Sequence, residues 1–299
     1  MVRRRLIVIT VIFFTFLAIS SEIYLRYAGF GSYPIYDIDN EIQYIPAANQ
    51  HGRFRNRDAW FFNDRHMENI SNWSREIHPN LLLIGDSIVL GGDTFNPEDR
   101  LGPLLEKDLG ERYTVWSVAA NAWSNVNWMA YLDRNADVLH NADAVITEYS
   151  EDDLVAPAVW PGYYVYPDHK PWILTGYLFV RSMLYRLRLA QVAFLNVDST
   201  PTRMPDEAQL QRFKKLVASF AKDHKMVIFI YPTLENLQNK SAWLEVVAPI
   251  EGLCRTTTAK CVDIAQAPAW NERAYTSDGI HPTVEGNKIL ASILANAMN

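Results

Sequence analysis

Leu81-Leu82-Leu83-Ile84-Gly85-Asp86-Ser87 is the stretch on which the fold turns. Four large aliphatic residues in succession, closed by a glycine, match a short strand covered on both faces, because such a strand has no polar alternation. The serine then falls where the strand hands over to the next element. In an open, mainly parallel α/β sheet that point is the carboxyl edge, where such folds put their sites. A serine hydroxyl there needs a base, and Asp278-Gly279-Ile280-His281-Pro282 stands just ahead of the last helical stretch. Imidazole titrates near neutrality and can take a proton in one step and return it in the next. Asp278 is within a turn's reach of the far ring nitrogen, where a carboxylate fixes the tautomer and steadies the imidazolium. Pro282 biases His281 toward extended backbone. Ser87, His281 and Asp278 are therefore the candidate catalytic residues.

At these residues the chain resembles the SGNH (GDSL) hydrolase superfamily. The family's first block is Gly-Asp-Ser after the first strand, and its last is Asp-x-x-His before the C-terminal helix. The resemblance covers roughly residues 79 to 299. It implies a serine esterase whose oxyanion is held by backbone and side-chain donors. The family's second block, Asn-x-Gly-x-x-Gly, corresponds to Ser117 through Trp123, with Ala119 and Ala122 at the glycine positions. The third, Gly-x-Asn-Asp, corresponds to Ser150-Glu151-Asp152-Asp153 and puts Asp152 where the family has an asparagine. The expected oxyanion groups are Ser87 and Ala119, with Asn121 or Asp152 as the third. An ionised Asp152 would repel the oxyanion, and losing one donor costs about 3 kcal/mol of barrier lowering.

The remaining elements support a three-layer α/β/α sandwich with a mainly parallel five-stranded sheet, of SGNH hydrolase or flavodoxin-like type. Strand-like runs occur at 81–84, 113–118, 144–148, 226–231 and 261–264. Helical stretches lie between them. One has Asn96 as cap, Pro97 at its first position and Gly110 past its end. Asp206 to His224 and Val284 to Met298 carry apolar residues at helical spacing. Residues 26–78 read as an extended connector with a possible hairpin around Trp60-Phe61-Phe62-Asn63. Residues 155–195 read as an insertion rich in aromatics and prolines, either packed on its own domain or lining an acyl or sugar site.

Arg3-Arg4-Arg5 followed by apolar residues from Leu6 to Ala18 marks residues 1–25 as a membrane anchor or a signal peptide. Ala18-Ile19-Ser20 offers a small-x-small cleavage site, and the positive-inside bias puts the rest outside the cytoplasm, periplasmic or extracellular. Cys254 and Cys261, the only cysteines, can close a small loop in an oxidising compartment or stay as two buried thiols. With 299 residues, 49% hydrophobic content and a net charge of −6, the chain is sized for one α/β domain with appendages and lacks the basic surface of a nucleic-acid binder. No metal or cofactor is expected. Expected partners are an ester-bearing small molecule or carbohydrate and, through the N-terminal segment, a membrane. Three readings of function stand: an exported esterase, an O-acyltransferase of exported polysaccharide, and a carbohydrate-binding or scaffold protein with a decayed oxyanion hole.

Overall fold

The computed structural model describes residues 2–74, 76, 79–91, 96–110, 112–151, 153–187 and 205–299. Its centre is a parallel sheet of β5 (Asn80–Gly85), β6 (Thr114–Ala119), β7 (Ala144–Tyr149), β8 (Lys225–Ile230) and β9 (Lys260–Asp263), in the order β6-β5-β7-β8-β9. Counted within the sheet this is 2-1-3-4-5, the doubly wound order in which the strand sequence reverses between β5 and β7. Every residue of β5 is buried. Leu81 and Leu83 pack on one face with helices Leu101–Asp108 and Val284–Met298. Leu82 and Ile84 pack on the other with helices Asn125–Arg134, Glu207–Ala221 and Lys240–Thr256. The uninterrupted apolar run is thus a strand feeding two cores, as a sheet sandwiched by helices requires.

The helix caps follow local chemistry. The Asp206 carboxylate accepts from the Gln209 N–H at 3.0 Å, and Thr283 Oγ1 from the Gly286 N–H at 3.0 Å. Between Asn96 and Gly110 one helix gives way to two pieces: a 3-10 turn, Pro97–Asp99, and an α-helix, Leu101–Asp108. The break falls at Arg100, whose backbone is extended and whose side chain is buried in an ion pair with Glu68. A guanidinium sunk into the fold overrides the helical signals on either side of it.

Residues 28–74 carry regular structure. They form two antiparallel hairpins, β1 (Tyr36–Asp39) with β2 (Gln43–Pro46), and β3 (Gln50–Phe54) with β4 (Asp58–Phe62). Tyr44, Ile45 and Met67 enter one core and Trp60 and Phe62 the other. Beyond the hairpins the Glu68 N–H donates to the Ser117 carbonyl at 2.9 Å, on the outer edge of β6. The aromatic insertion holds a helix, Leu174–Arg186; residues 188–195 of that insertion lie outside the described residues. Cys254 and Cys261 form a disulfide that ties helix Lys240–Thr256 to β9. The N-terminal helix has a stretch, Arg3–Tyr27, long and apolar enough to cross a membrane or to serve as a signal sequence.

Candidate active site

Ser87 opens a four-residue helix, Ser87–Leu90, immediately after β5. Asp86 caps it, its Oδ1 accepting the Ile88 N–H at 2.7 Å, and Gly91 ends it at φ 71°. A side chain at Gly85 would collide with the Glu148 carboxyl and Val89, so the block needs glycine for space. The serine thereby sits at the carboxyl end of β5, next to β7, at the point where the sheet order reverses.

His281 reaches this hydroxyl from the far end of the sequence. Its Nε2 lies 2.9 Å from Ser87 Oγ, and its Nδ1 lies 2.8 Å from Asp278 Oδ2. The turn between the two residues is fixed in several ways. Gly279 takes φ 71°, a conformation that favours glycine. Asp278 Oδ1 accepts the N–H groups of Ile280 at 2.8 Å and His281 at 3.0 Å, and the Thr276 hydroxyl at 2.8 Å. Tyr231, just past β8, donates its hydroxyl to the Ile280 carbonyl at 2.7 Å. Partial burial pushes the Asp278 carboxyl up, but these donors and His281 outweigh it and hold the group well below the usual carboxylate range. Asp278 is a carboxylate, and so an acceptor for Nδ1–H.

Beneath the nucleophile lies a second set of acids. The Asp86 N–H donates to Glu148 Oε2 at 3.1 Å. Asp153 Oδ2 accepts both the N–H and the hydroxyl of Ser150. Burial, then the charges of Asp86 and Asp153, raise Glu148 well above the ordinary carboxyl range. Burial, then Asp86, does the same to Asp153. Burial raises Asp86 as well, although the Ile88 N–H and Glu148 oppose the shift there. Reasoning from sequence did not single out Glu148. The available signal was an acid on an otherwise uncharged strand, Ala144-Val-Ile-Thr-Glu-Tyr149.

The expected oxyanion residues are distributed as follows. Ala119 is the last residue of β6, buried and in register with Gly85. Asn121 follows on the loop; its side-chain amide points to the Tyr36 hydroxyl at 3.5 Å and its carbonyl accepts the Tyr44 hydroxyl at 2.8 Å. The left-handed backbone belongs to Ala122, at φ 60°, which is exposed and whose N–H has no partner among the described residues. Asp152 lies outside the described residues. Of its neighbours, Glu151 accepts from the Asn236 amide at 2.9 Å, and no group of three metal-ligating side chains assembles among the described residues.

A cavity of about 190 Å³ adjoins this rim. Leu90 from the nucleophile's helix and Asn121 line it, together with Tyr36, Trp60, Tyr166 and Tyr177 from the hairpins and the insertion.

No protein-family model matches the chain. No curated protein matches it either. Solved structures to which it is similar include a putative SGNH hydrolase from Slackia heliotrinireducens, at 14% identity and a TM-score of 0.42 over 75% of this chain and 100% of that one. Another is a putative arylesterase from Agrobacterium tumefaciens, at 13% identity and a TM-score of 0.42 over 74% of this chain and 98% of that one. A third is Est24, a carbohydrate acetylesterase from Sinorhizobium meliloti, at 14% identity and a TM-score of 0.41 over 74% and 98%.

Proposed function

We propose that the chain is an SGNH-type serine esterase, linked to a membrane through its N-terminal helix, with its α/β domain outside the cytoplasm. The observation that carries this reading is the unbroken relay from Asp278 through His281 to Ser87 at the switch point of the sheet. In the reaction Ser87 Oγ bonds to the ester carbonyl carbon while its proton passes to His281 Nε2. The tetrahedral intermediate collapses as the ester C–O bond breaks, and the imidazolium returns the proton to the departing alcohol. Water then repeats the sequence on the acyl-serine and releases the acid. Asp278, held ionised, keeps Nδ1 protonated throughout.

The Ser87 N–H is the first oxyanion donor in this scheme. Ala122 is the second in preference to Ala119, because its amide is on the loop and unclaimed. The natural substrates are acyl or acetyl esters on envelope or extracellular carbohydrate. The aromatic cavity beside the rim supports this reading, since aromatic faces bind both acyl chains and sugar rings. Arg3 to Arg5 ahead of the apolar helix and the Cys254–Cys261 disulfide support the location.

The test is labelling of the detergent-solubilised full chain by a fluorophosphonate, alongside hydrolysis of an acetyl ester. Both are expected in the native sequence and both lost in Ser87→Ala. Absence of labelling in the native chain overturns the esterase reading, and transfer to an oligosaccharide faster than hydrolysis reassigns the acceptor from water to sugar.

A further inference from the structure

The N-terminal helix is exposed along its apolar length and partly covered only near its end, at Ser20, Ser21, Glu22 and Leu25. There it docks on the aromatic insertion. The Glu22 carboxylate accepts the N–H groups of Leu174 at 2.9 Å and Thr175 at 2.8 Å and the Thr175 hydroxyl at 2.9 Å, capping helix Leu174–Arg186. Arg26 donates to the carbonyls of Pro171 at 3.1 Å and Trp172 at 2.9 Å. Leu25 packs against the cluster of Tyr33, Leu174 and Tyr177. The start of helix Leu174–Arg186 is therefore pinned at the level where the apolar run of the first helix ends.

One face of this second helix is buried through Leu174 and Tyr177. The opposite face is apolar and exposed. Phe179, Met183 and Leu187 stand four residues apart on one line, with Phe179 66% exposed, and Ile173 and Trp172 flank it, Trp172 at 93%. Between 172 and 187 the chain has Arg181 and Arg186 and no acid, although the whole protein carries a net charge of −6. Tryptophan beside aliphatic residues at the end of a spanning helix is the composition of the interfacial layer of a bilayer. The exposed Arg186 on such an element is suited to anionic headgroups, while Arg181 donates to the Tyr177 hydroxyl on the inner side.

We propose that the Trp172, Ile173, Phe179 and Met183 face rests in the interface of the same leaflet that the N-terminal helix reaches, giving the domain a second point of attachment to lipid. The occupant of this face is the bilayer, because the face continues directly from the end of the apolar helix and the stretch from 172 to 187 contributes no acid to it. Tyr177 and Arg181 of the same helix line the 190 Å³ cavity, so this contact also sets the height of that cavity above the leaflet. The contact is independent of any ester chemistry at Ser87.

The experiment uses the full chain in vesicles of phosphatidylcholine with a minority of phosphatidylglycerol. A nitroxide is attached at Phe179→Cys, at Met183→Cys or, as reference, at Lys215→Cys on helix Glu207–Ala221. Cys254 and Cys261 are bonded to each other and take no label. The labels at 179 and 183 are expected to collide more with oxygen and less with an aqueous nickel chelate than the label at 215, at a depth about 5–10 Å into the headgroup boundary. Equal access to the nickel chelate at all three sites overturns the proposal. So does spin–spin broadening at 179 with a doubled particle mass, which would mean that a second copy covers the face. Matching thermal melts of the labelled and unlabelled proteins confirm that the fold is intact in each.

Discussion

Two sets of acids share one rim, and their surroundings shift them in opposite directions. Asp278 sits in an exposed turn with three donors and an imidazole around it and stays a carboxylate. Glu148 and Asp153 lie buried under the nucleophile, close to Asp86, and are pushed well above the ordinary carboxyl range. The residue types are nearly the same, so the difference lies in solvent and partners: water and N–H donors stabilise charge, whereas burial among other acids penalises it. Glu68 shows a third arrangement, an acid as buried as Glu148 but paired with Arg100. Burial also pulls the Arg100 guanidinium down to about 10, without neutralising it at physiological pH.

Replacing Asp278 by Asn tests the exposed carboxylate. It is expected to lower kcat/KM by roughly 10³–10⁴-fold, as loss of the correct tautomer does, and to lower the melting temperature at neutral pH. Its depressed pKa gives stability that is present above the unfolded value of 3.8 and lost as pH falls through the folded one, so the asparagine variant forfeits that contribution at neutral pH and the two proteins converge toward acid. A kcat/KM within a factor of ten of the native value would remove Asp278 from the relay.

Glu68→Leu leaves Arg100 buried without its carboxylate, at a cost of about 3–5 kcal/mol. The double change Glu68→Leu with Arg100→Met should recover most of it. Urea midpoints of the three proteins measure both effects, and additive losses would show that the two side chains do not act as a pair.

Glu148→Gln removes the proton question while keeping the shape. In the native chain the unfolded state releases this proton above the ordinary value of 4.5 and the folded state retains it, so stability drains as pH rises toward the folded pKa. The glutamine variant should gain on the native protein with rising pH, by at most about 1.4 kcal/mol per pH unit. Melting curves between pH 5 and pH 8 decide this; a constant offset would mean that Glu148 is ionised in the fold. The smallest effect expected is from Ala122→Gly, which relieves a left-handed alanine and should add about 1 kcal/mol of stability. A loss of stability on chemical denaturation would show that the φ of 60° is not strained.

What could be read from the residues alone was local. The run Leu81 to Ile84 is a strand because it is wholly apolar and short, and Val284 to Met298 is a helix because its apolar residues recur at helical spacing behind Thr283. A hairpin around Trp60 to Asn63 is suggested by its aromatic run, but its partner strand and the Tyr36–Pro46 hairpin are not, because their signals are not in their own residues. The turn from β3 to β4 puts Arg55 and Asn56 at φ 53° and 58°, a geometry usually marked by Asn-Gly, and Asn56 alone, next to an arginine, is a weak signal for it. Their partner, Gly29, leaves room for Asn56 that no side chain would, and accepts the Arg55 N–H with its carbonyl at 3.0 Å. Glu148 was equally hidden, since a single acid on a strand does not tell which other acids surround it.

The residues by themselves determined the strand that delivers Ser87, the glycine-containing turn that presents His281, and the apolar helix at the start of the chain. Each depends on backbone preference or on periodicity over a few neighbours. Only the tertiary structure decided which acids are pushed up and which is held down, that Arg100 breaks a helix to meet Glu68, and that Glu22 caps a helix 152 residues away in sequence. Those outcomes follow from desolvation and Coulomb interaction, which are set by groups that folding brings together and that sequence distance does not encode.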